Sequence, residues 1–244
     1  MTQKVIISGH SSGLGKALAT YYAEKGAAVL GIARRKSADL MENIQQISLD
    51  LSDTAALQNF CQQPVLAEFT ANASEVILIN NAATVLPNAL LGRQNDMEIA
   101  AAVGLNITAP LILSNMMIRA TNGRALKIIH ISSGAGRKPY PGWSVYGATK
   151  AALDHHALCV AAEQHENVRI ASIAPGVVDT DMQAQIRSAD ESSFPMRPYF
   201  EALKTEGSLV GPRQTVERIA AMIEDKDFGR YVLADVRDYC SINK

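Results

Sequence analysis

The sequence predicts an α/β fold: a doubly wound, Rossmann-like parallel sheet of about seven strands with helices on both faces. Short apolar runs alternate with longer stretches of helical periodicity along the whole chain. The runs are almost continuously apolar, which is typical of parallel strands buried on both faces. The predicted strands are 4–8, 27–33, 45–49, 76–80, 125–131, 168–173 and 231–233, and the predicted helices are 15–25, 54–60, 97–117, 145–164 and 214–224.

The chain reads as a single domain over 1–244. A length of 244 residues suits one large α/β domain, and no repeat, low-complexity tract or linker divides it. The alternation is interrupted by a long polar, irregular insertion at 179–211. Loops of this length in compact domains usually serve a function, so we expect this insertion to form a substrate lid.

Composition and charge exclude several classes of protein. The chain has 23 basic and 24 acidic residues and a net charge of −1, which gives no electrostatic footprint for nucleic acid or an anionic membrane surface. Its apolar runs are far shorter than a membrane span, and its first residues lack the shape of a signal peptide. Cys61, Cys159 and Cys240 are scattered and odd in number, which does not suit a disulfide framework. We expect a soluble, cytoplasmic protein.

A glycine-rich segment, residues 8–15 and hereafter the glycine loop, joins the first strand to the first helix. Its three glycines follow the spacing G-x-x-x-G-x-G. Glycines here permit a tight turn and bring backbone N–H groups close to a pyrophosphate at the positive helix N-terminus. A plain turn would need only one glycine, so the segment predicts a dinucleotide site formed by Gly9, Ser11, Ser12, Gly13, Leu14 and Gly15.

The end of the second strand indicates which dinucleotide binds. An acidic residue there would bond the adenosine ribose hydroxyls and repel a 2′-phosphate. Here Ala33 is followed by Arg34 and Arg35, whose guanidinium groups can bind a phosphate through forked hydrogen bonds. Arg34 and Arg35 could also be ordinary solvated charges. The pattern favours NADP(H) over NAD(H).

Polar or turn residues follow three further strands. Asp50 and Leu51 end strand three, where the adenine ring would lie, and Asn81 and Ala82 follow strand four beside the cofactor ribose. Each of these could equally be a turn or a helix cap. After strand six, Pro175, Gly176, Val178 and Thr180 lie in a segment that predicts a sharp turn.

Tyr146 and Lys150 lie four residues apart in a predicted helix, so they share one face. A free phenol has a pKa of about 10 and is a poor acid near neutrality. A neighbouring ammonium favours the phenolate, so we expect Lys150 to lower the pKa of Tyr146 and make it a usable acid or base. Ser133 lies thirteen residues before Tyr146.

Together these motifs resemble the short-chain dehydrogenase/reductase family. The family pattern is T/S-G-x-x-x-G-x-G, N-N-A-G, a helix Asn, Ser, Y-x-x-x-K and P-G. The chain matches it in order at the glycine loop, 80–83, Asn106, Ser133, Tyr146 with Lys150, and 175–176, except that Ala83 replaces the usual glycine. The resemblance covers essentially the whole chain and implies the predicted fold.

The resemblance also implies catalytic roles. Tyr146 donates a proton to a carbonyl oxygen that receives negative charge, and Ser133 hydrogen-bonds that oxygen, with Ser132 as the neighbouring competitor for this role. Lys150 tunes Tyr146 and holds the nicotinamide ribose. In the turn at Pro175 and Gly176, the Val178 backbone binds the nicotinamide carboxamide, and Thr180 contacts the same group or the diphosphate. Asn106 fixes a water that returns protons to Lys150.

The C-terminal third resembles one branch of the family, that of sepiapterin reductase and the bacterial benzil-reductase-like carbonyl reductases. The matching segments are 141–143, 167–169, 174–183 and 203–204. This likeness implies that Asp235 anchors substrate, although a surface aspartate is an equal alternative. The expected substrate contacts are Ser133, Trp143, Tyr146, Gly176, Met182 and Asp235, and the apolar lid residues are Phe194, Met196, Tyr199 and Phe200.

The leading hypothesis is an NADPH-dependent carbonyl reductase that acts on a ketone or vicinal diketone. The alternatives are an NADP-dependent alcohol dehydrogenase working oxidatively and a non-catalytic NADP(H)-binding sensor. A metal catalyst is not expected, because the sequence has no H-E-x-x-H motif or Cys/His cluster. The family resemblance implies a homodimer or homotetramer.

Overall fold

The computed structural model describes residues 3–239, and these form a seven-stranded, fully parallel sheet. The strand order is β3-β2-β1-β4-β5-β6-β7, so the chain reverses its direction of winding between β1 and β4. The predicted fold class is confirmed. The strands are β1 (Gln3–Ser8), β2 (Ala28–Ala33), β3 (Ile44–Ser48), β4 (Glu75–Asn80), β5 (Ala125–Ile131), β6 (Val168–Ala174) and β7 (Leu233–Asp235).

Helices cover both faces of this sheet because successive strand side chains alternate in direction. Val5 and Ile7 belong to an apolar core shared with α1 and α9, whereas Ile6 belongs to a second core on the other face. The helices are α1 (Gly13–Glu24), α2 (Thr54–Cys61), α3 (Val65–Thr70), α4 (Asp96–Val103), α5 (Ala109–Thr121), α6 (Ser144–Ala162), α7 (Asp181–Arg187), α8 (Arg197–Thr205) and α9 (Pro212–Glu224).

The helix predicted over 97–117 is interrupted in the structure. A π-helical turn at Gly104–Thr108 separates α4 from α5 without ending the helix. Such turns are frequent at functional sites, and this one contains Asn106. Periodicity could not reveal it, because one wider turn leaves the apolar pattern almost unchanged.

Two other elements differ from prediction. The insertion 179–211 is not irregular, because it contains α7 and α8. The last strand was expected at 231–233, but β7 is Leu233–Asp235, with Leu233 opposite Ser172 and Asp235 opposite Ala174. The strand is only three residues long, so its register depends on pairing with β6 and cannot be read from local propensity.

The helix that spans α4 to α5 passes a length and composition test for crossing a membrane. Among the described residues, this stretch (Asp96–Thr121) is the one helix that does so. Its residues Leu113 and Met117 are buried in the core against the sheet. Core helices of soluble proteins pass the same test, so the result by itself is only weak evidence for a membrane span.

Candidate active site

A cleft opens where the winding of the sheet reverses, at the carboxyl ends of the strands. Its volume is about 340 Å³, which suits a small ligand. Open α/β sheets bind ligands at this position, because loops from β1 and β4 diverge there. The topology therefore brings the strand-end motifs of the sequence to one place.

The glycine loop forms one wall of the cleft, and its backbone is tightly packed. Gly9 has φ +72°, and a Cβ there would lie 2.8 Å from the Cα of Ala82. A Cβ on Gly15 would collide with the carbonyl oxygen of Gly9. The Asn81 side chain donates hydrogen bonds to the carbonyls of Ser8 and Gly9 at 3.1 and 3.2 Å. This close cradle fits the pyrophosphate of a dinucleotide.

A second wall is formed by residues 34–37, hereafter the basic loop. Arg34 and Arg35 line the cleft and are exposed to solvent. The carbonyl of Arg34 accepts a hydrogen bond from Ser48 Oγ at 2.9 Å, which secures the start of the loop. The two guanidinium groups are therefore available to an anionic ligand.

The end of strand three contributes apolar side chains, with Leu49 and Leu51 lining the cleft. Asp50 is not among the lining residues; its carboxylate accepts hydrogen bonds from Ser52 N and Oγ at 2.9 and 2.6 Å. Burial works to raise the pKa of Asp50, but the Ser52 bonds and the charge of Arg34 hold it below its usual value. Asp50 thus shapes the turn, and its predicted adenine contact stays a prediction.

Tyr146 lies in the first turn of α6, buried within the cleft. Burial raises its pKa to about 12, and a hydrogen bond with Ser133 works in the opposite direction. The expectation that Lys150 lowers this pKa is wrong for this structure: Lys150 Nζ lies 5.7 Å from the centre of the Tyr146 ring, and burial prevails. Tyr146 is therefore a phenol throughout the neutral range, ready to donate a proton.

Lys150 follows one turn later and is also buried. Its Nζ donates a hydrogen bond to the carbonyl oxygen of Ile131 at 2.8 Å. Burial lowers the pKa of Lys150 to about 8, and the carboxylate of Asp154 opposes that shift. Asp154 is held by Ser172 Oγ at 2.6 Å and by Arg137 Nε at 2.9 Å. A lysine with this pKa can exchange a proton near neutrality.

Asn106 is buried and does not line the cleft. Its Oδ1 accepts from Thr84 N at 2.9 Å, and its Nδ2 donates to Thr84 O at 2.8 Å and to Thr149 Oγ1 at 3.1 Å. Thr149 in turn donates to the carbonyl of Tyr146. Asn106 thus connects the π-helical turn to the helix that carries Tyr146, and its role toward a water stays a prediction.

Trp143 packs between Tyr146 and two aromatic side chains of the insertion 179–211. It lies 5.1 Å from Tyr146, 5.2 Å from Phe194 and 5.0 Å from Phe200, measured between ring centres. Trp143 Nε1 donates to Asn88 Oδ1 at 2.7 Å. The indole is therefore fixed between Tyr146 and the insertion, and it gives the cleft an aromatic wall.

Most of the predicted site residues do meet in this cleft. Its lining includes Gly9, Ser11, Ser12, Gly13, Leu14, Gly15, Arg34, Arg35, Leu51, Asn81, Ala82, Ser133, Trp143, Tyr146, Lys150, Pro175, Gly176, Val178, Thr180 and Met182. The predicted site residues outside the lining are Asp50, Asn106 and Asp235. Ser132 also lines the cleft, and its buried Oγ has no hydrogen-bond partner within residues 3–239.

Arg237 lines the cleft where Asp235 was expected. The Asp235 side chain is only 10% exposed and accepts from Arg237 Nε at 2.8 Å and Nη2 at 2.6 Å, whereas Arg237 is 62% exposed. The aspartate is thus occupied in holding the arginine.

Sequence reasoning did not single out Tyr140, Gln183, Ile186 or Arg237 as site residues, although all four line the cleft. No sequence signal marks them, because each enters through the packing of the lid or the chain end.

Residues 3–191 match the family model described as short chain dehydrogenase. The chain belongs to the short-chain dehydrogenase family. It is 37% identical over 236 residues to benzil reductase ((S)-benzoin forming) of Bacillus cereus, covering 92% of this chain and 95% of the relative. It is 30% identical to sepiapterin reductase of Mus musculus, covering 91% and 92% of the two chains. Members of this family are oxidoreductases, and they use nicotinamide dinucleotides.

Solved structures agree with this membership. A short-chain dehydrogenase/reductase from Burkholderia vietnamiensis superposes with a TM-score of 0.70 at 41% identity, covering 78% of this chain and 93% of the other. A 4-hydroxyisoleucine dehydrogenase complexed with NADH gives 0.80 at 24% identity and 96% coverage of each chain. A Shigella flexneri short-chain dehydrogenase complexed with NADP gives 0.77 at 19% identity, covering 96% and 97%. The last two support the fold alone.

Proposed function

We propose that this protein is an NADPH-dependent carbonyl reductase that reduces a ketone or vicinal diketone. The observation that carries the proposal is the position of the Tyr146 phenol. The phenol is hydrogen-bonded to Ser133 and lies one helical turn from Lys150. It lines the same cleft as the glycine loop and the basic loop. A proton donor next to a dinucleotide cradle suits hydride transfer to a carbonyl.

The residues divide the chemistry between them. Bound NADPH would supply the hydride to the carbonyl carbon, leaving NADP⁺. Tyr146 gives its phenolic proton to the carbonyl oxygen as negative charge develops there. Ser133 stabilises the same oxygen by a hydrogen bond worth about 3 kcal/mol in the transition state. The ammonium of Lys150, with a pKa of about 8, restores the proton to Tyr146.

The preference for NADP(H) rests on the basic loop. Arg34 and Arg35 are exposed in the cleft, where a 2′-phosphate on the adenosine ribose would need cations. The tip of β2 is Ala33, which cannot bond the ribose hydroxyls or repel the phosphate. Charge and position together therefore favour the phosphorylated cofactor.

The expected substrate is an aromatic or bulky ketone. Trp143 and Phe200 give the cleft an apolar lining, Phe194 packs against both of them, and Trp143 lies beside Tyr146. The similarity to benzil and sepiapterin reductases supports the same class, since those names describe enzymes that act on dicarbonyl or related compounds.

We further propose that the protein forms a homodimer or homotetramer. We also propose that it is located in the cytoplasm. Val103 at the end of α4 is 40% exposed and Leu158 on α6 is 43% exposed, so neighbouring helices present apolar side chains to solvent. Cys61 and Cys159 are free thiols, as expected in a reducing compartment, and Cys240 lies outside the described residues.

The test is NADPH oxidation by the purified protein over a panel of aryl diketones, pteridines, quinones and simple ketones. We expect turnover of diketones and aryl ketones, with the alcohol formed in equal amount to the NADP⁺. Binding of NADPH with no turnover on any carbonyl, but with oxidation of alcohols by NADP⁺, would favour the oxidative alternative. Binding without turnover in either direction would favour a sensor.

A further inference from the structure

His10 connects the two cofactor loops of the site. It lies in the glycine loop between Gly9 and Ser11 and is fully buried, yet it does not line the cleft. Its imidazole packs on the backbone of Gly31 in β2, where any Cβ would collide with the ring. The second strand thus has a glycine in its centre to admit this side chain.

The ring makes one directional bond. His10 Nε2 lies 2.9 Å from Gln46 Oε1, and the same oxygen accepts a hydrogen bond from the backbone N–H of Ser37 at 2.8 Å. A carboxamide oxygen only accepts hydrogen bonds, so Nε2 carries the proton. His10 Nδ1 is buried and has no hydrogen-bond partner within residues 3–239. The ring leaves one nitrogen unsatisfied while the other bonds Gln46.

Gln46 transmits this contact to the basic loop. Its Nε2 donates to the carbonyl of Ser37 at 3.1 Å, so the side chain bonds both backbone groups of that residue. Ser37 closes the segment that begins with Arg34, whose carbonyl is held by Ser48. Nearby, Lys16 and Asp39 form an exposed ion pair at 3.0 Å, which contributes little to holding the loop.

We propose that His10 is a positioning residue for cofactor selection. Through Gln46 and Ser37 it holds the basic loop at a set distance from the glycine loop, so that the arginines meet a 2′-phosphate when the pyrophosphate is seated. This inference rests on the proposed NADP(H) preference. A nucleotide without the 2′-phosphate gains nothing from the arrangement.

The test uses variants that separate packing from hydrogen bonding. His10→Phe keeps a ring on Gly31 but loses the donor, whereas His10→Gln keeps a donor near the position of Nε2. Gln46→Met removes the bridge, and Gln45→Met, an exposed neighbour on β3, is its matched control. Binding of adenosine 2′,5′-bisphosphate and of 5′-AMP is measured by calorimetry, and Michaelis constants are measured for NADPH and NADH.

We expect His10→Phe and Gln46→Met each to weaken binding of the bisphosphate about tenfold, the equivalent of one hydrogen bond. Binding of 5′-AMP, the Michaelis constant for NADH and kcat should change by less than about twofold. His10→Gln should restore most of the loss, and Gln45→Met should have no effect. The double variant His10→Phe/Gln46→Met should lose no more than Gln46→Met alone, because that change already removes the bond to His10.

Three results would overturn the inference. If the variants weaken binding of the bisphosphate and of 5′-AMP equally, His10 supports the glycine loop in general and does not select the cofactor. A bisphosphate preference that survives both variants would remove the role of His10 while leaving the NADP(H) proposal intact. Finally, equal binding of the two nucleotides by the wild-type protein would contradict both the NADP(H) proposal and this inference.

Discussion

The ammonium of Lys150 donates a hydrogen bond of 2.8 Å to the carbonyl oxygen of Ile131. Ile131 is the last residue of β5, and Ser133 follows two residues later. The end of β5 therefore positions Lys150 through this hydrogen bond and Ser133 through the two peptide bonds that connect it to Ile131. This explains how groups from a helix and a loop keep a common position relative to Tyr146.

Replacing this lysine should change how stability depends on pH. The pKa of Lys150 is about 8 in the folded protein, and the ordinary value, which applies to the unfolded chain, is 10.5. Between pH 8 and pH 10.5 the lysine is therefore protonated in the unfolded chain but largely deprotonated in the folded protein. The free energy of unfolding of the wild type should therefore rise relative to Lys150→Met as pH increases from about 8 to 10.5. Urea denaturation of both proteins near pH 7 and pH 10 measures this difference. Parallel pH profiles would contradict it.

Asp154 should control the alkaline limit of activity. Its carboxylate raises the pKa of the buried Lys150, so Asp154→Asn should move that pKa below about 8. Because reduction needs the ammonium to resupply protons, the fall in kcat at high pH should begin at a lower pH. The measurement is kcat for ketone reduction across the pH range, with the exposed Asp227→Asn as control. An unchanged alkaline limb would show that Lys150 does not supply the proton.

Tyr146→Phe should abolish most of the ketone reduction, because no other phenol is bonded to Ser133 in the described chain. We expect kcat to fall by about 10² to 10⁴, while the dissociation constant of NADPH stays within about twofold. The aromatic contact with Trp143 can survive the change. Tyr140→Phe is the matched control, since Tyr140 also lines the cleft. Full activity in Tyr146→Phe would disprove the mechanism.

Arg34→Ala should raise the Michaelis constant for NADPH about tenfold or more, and that for NADH by less than about twofold. The reason is the loss of a charged hydrogen bond to the 2′-phosphate, worth about 1.5–3 kcal/mol. Arg230→Ala changes an exposed arginine outside the cleft and should affect neither constant. Equal effects on both cofactors would refute the phosphate assignment.

Introducing charge on the exposed apolar faces of α4 and α6 should lower the oligomeric mass. Val103→Glu and Leu158→Glu place carboxylates where we expect subunits to meet, and burial of such charges is unfavourable. Light scattering of wild type and variants measures the mass. Leu91→Glu, at a position 87% exposed and outside the described helices and strands, is the control. A monomeric wild type would contradict the oligomer.

Several features could be predicted because they depend on local chemistry. Gly9 and Gly15 are needed wherever backbone must approach backbone closely, and Arg34 stands where an acid would exclude a phosphate. The Tyr146 and Lys150 spacing places both on one helix face. These signals each occupy a few adjacent residues, so they can be recognised without knowing the rest of the fold.

Other features depend on neighbours far apart in sequence. The pKa of Tyr146 is raised because lid and core side chains bury it, and the four-residue spacing to Lys150 could not show that. The bounds of the short β7 likewise depend on its pairing with the distant β6, whereas the bond between Asp235, expected at the substrate, and Arg237 is local.

The sequence by itself predicted the fold class, which the structure confirms, and it is the basis for proposing the dinucleotide loop and Tyr146 as the proton donor, since these follow from periodicity, glycine placement and residue chemistry. The tertiary structure alone decided the direction of the Tyr146 pKa shift, the π-helical position of Asn106 and the contact of His10 with Gln46. Burial, backbone pairing and hydrogen bonds between distant segments have no local pattern, because they exist only once the strands are adjacent.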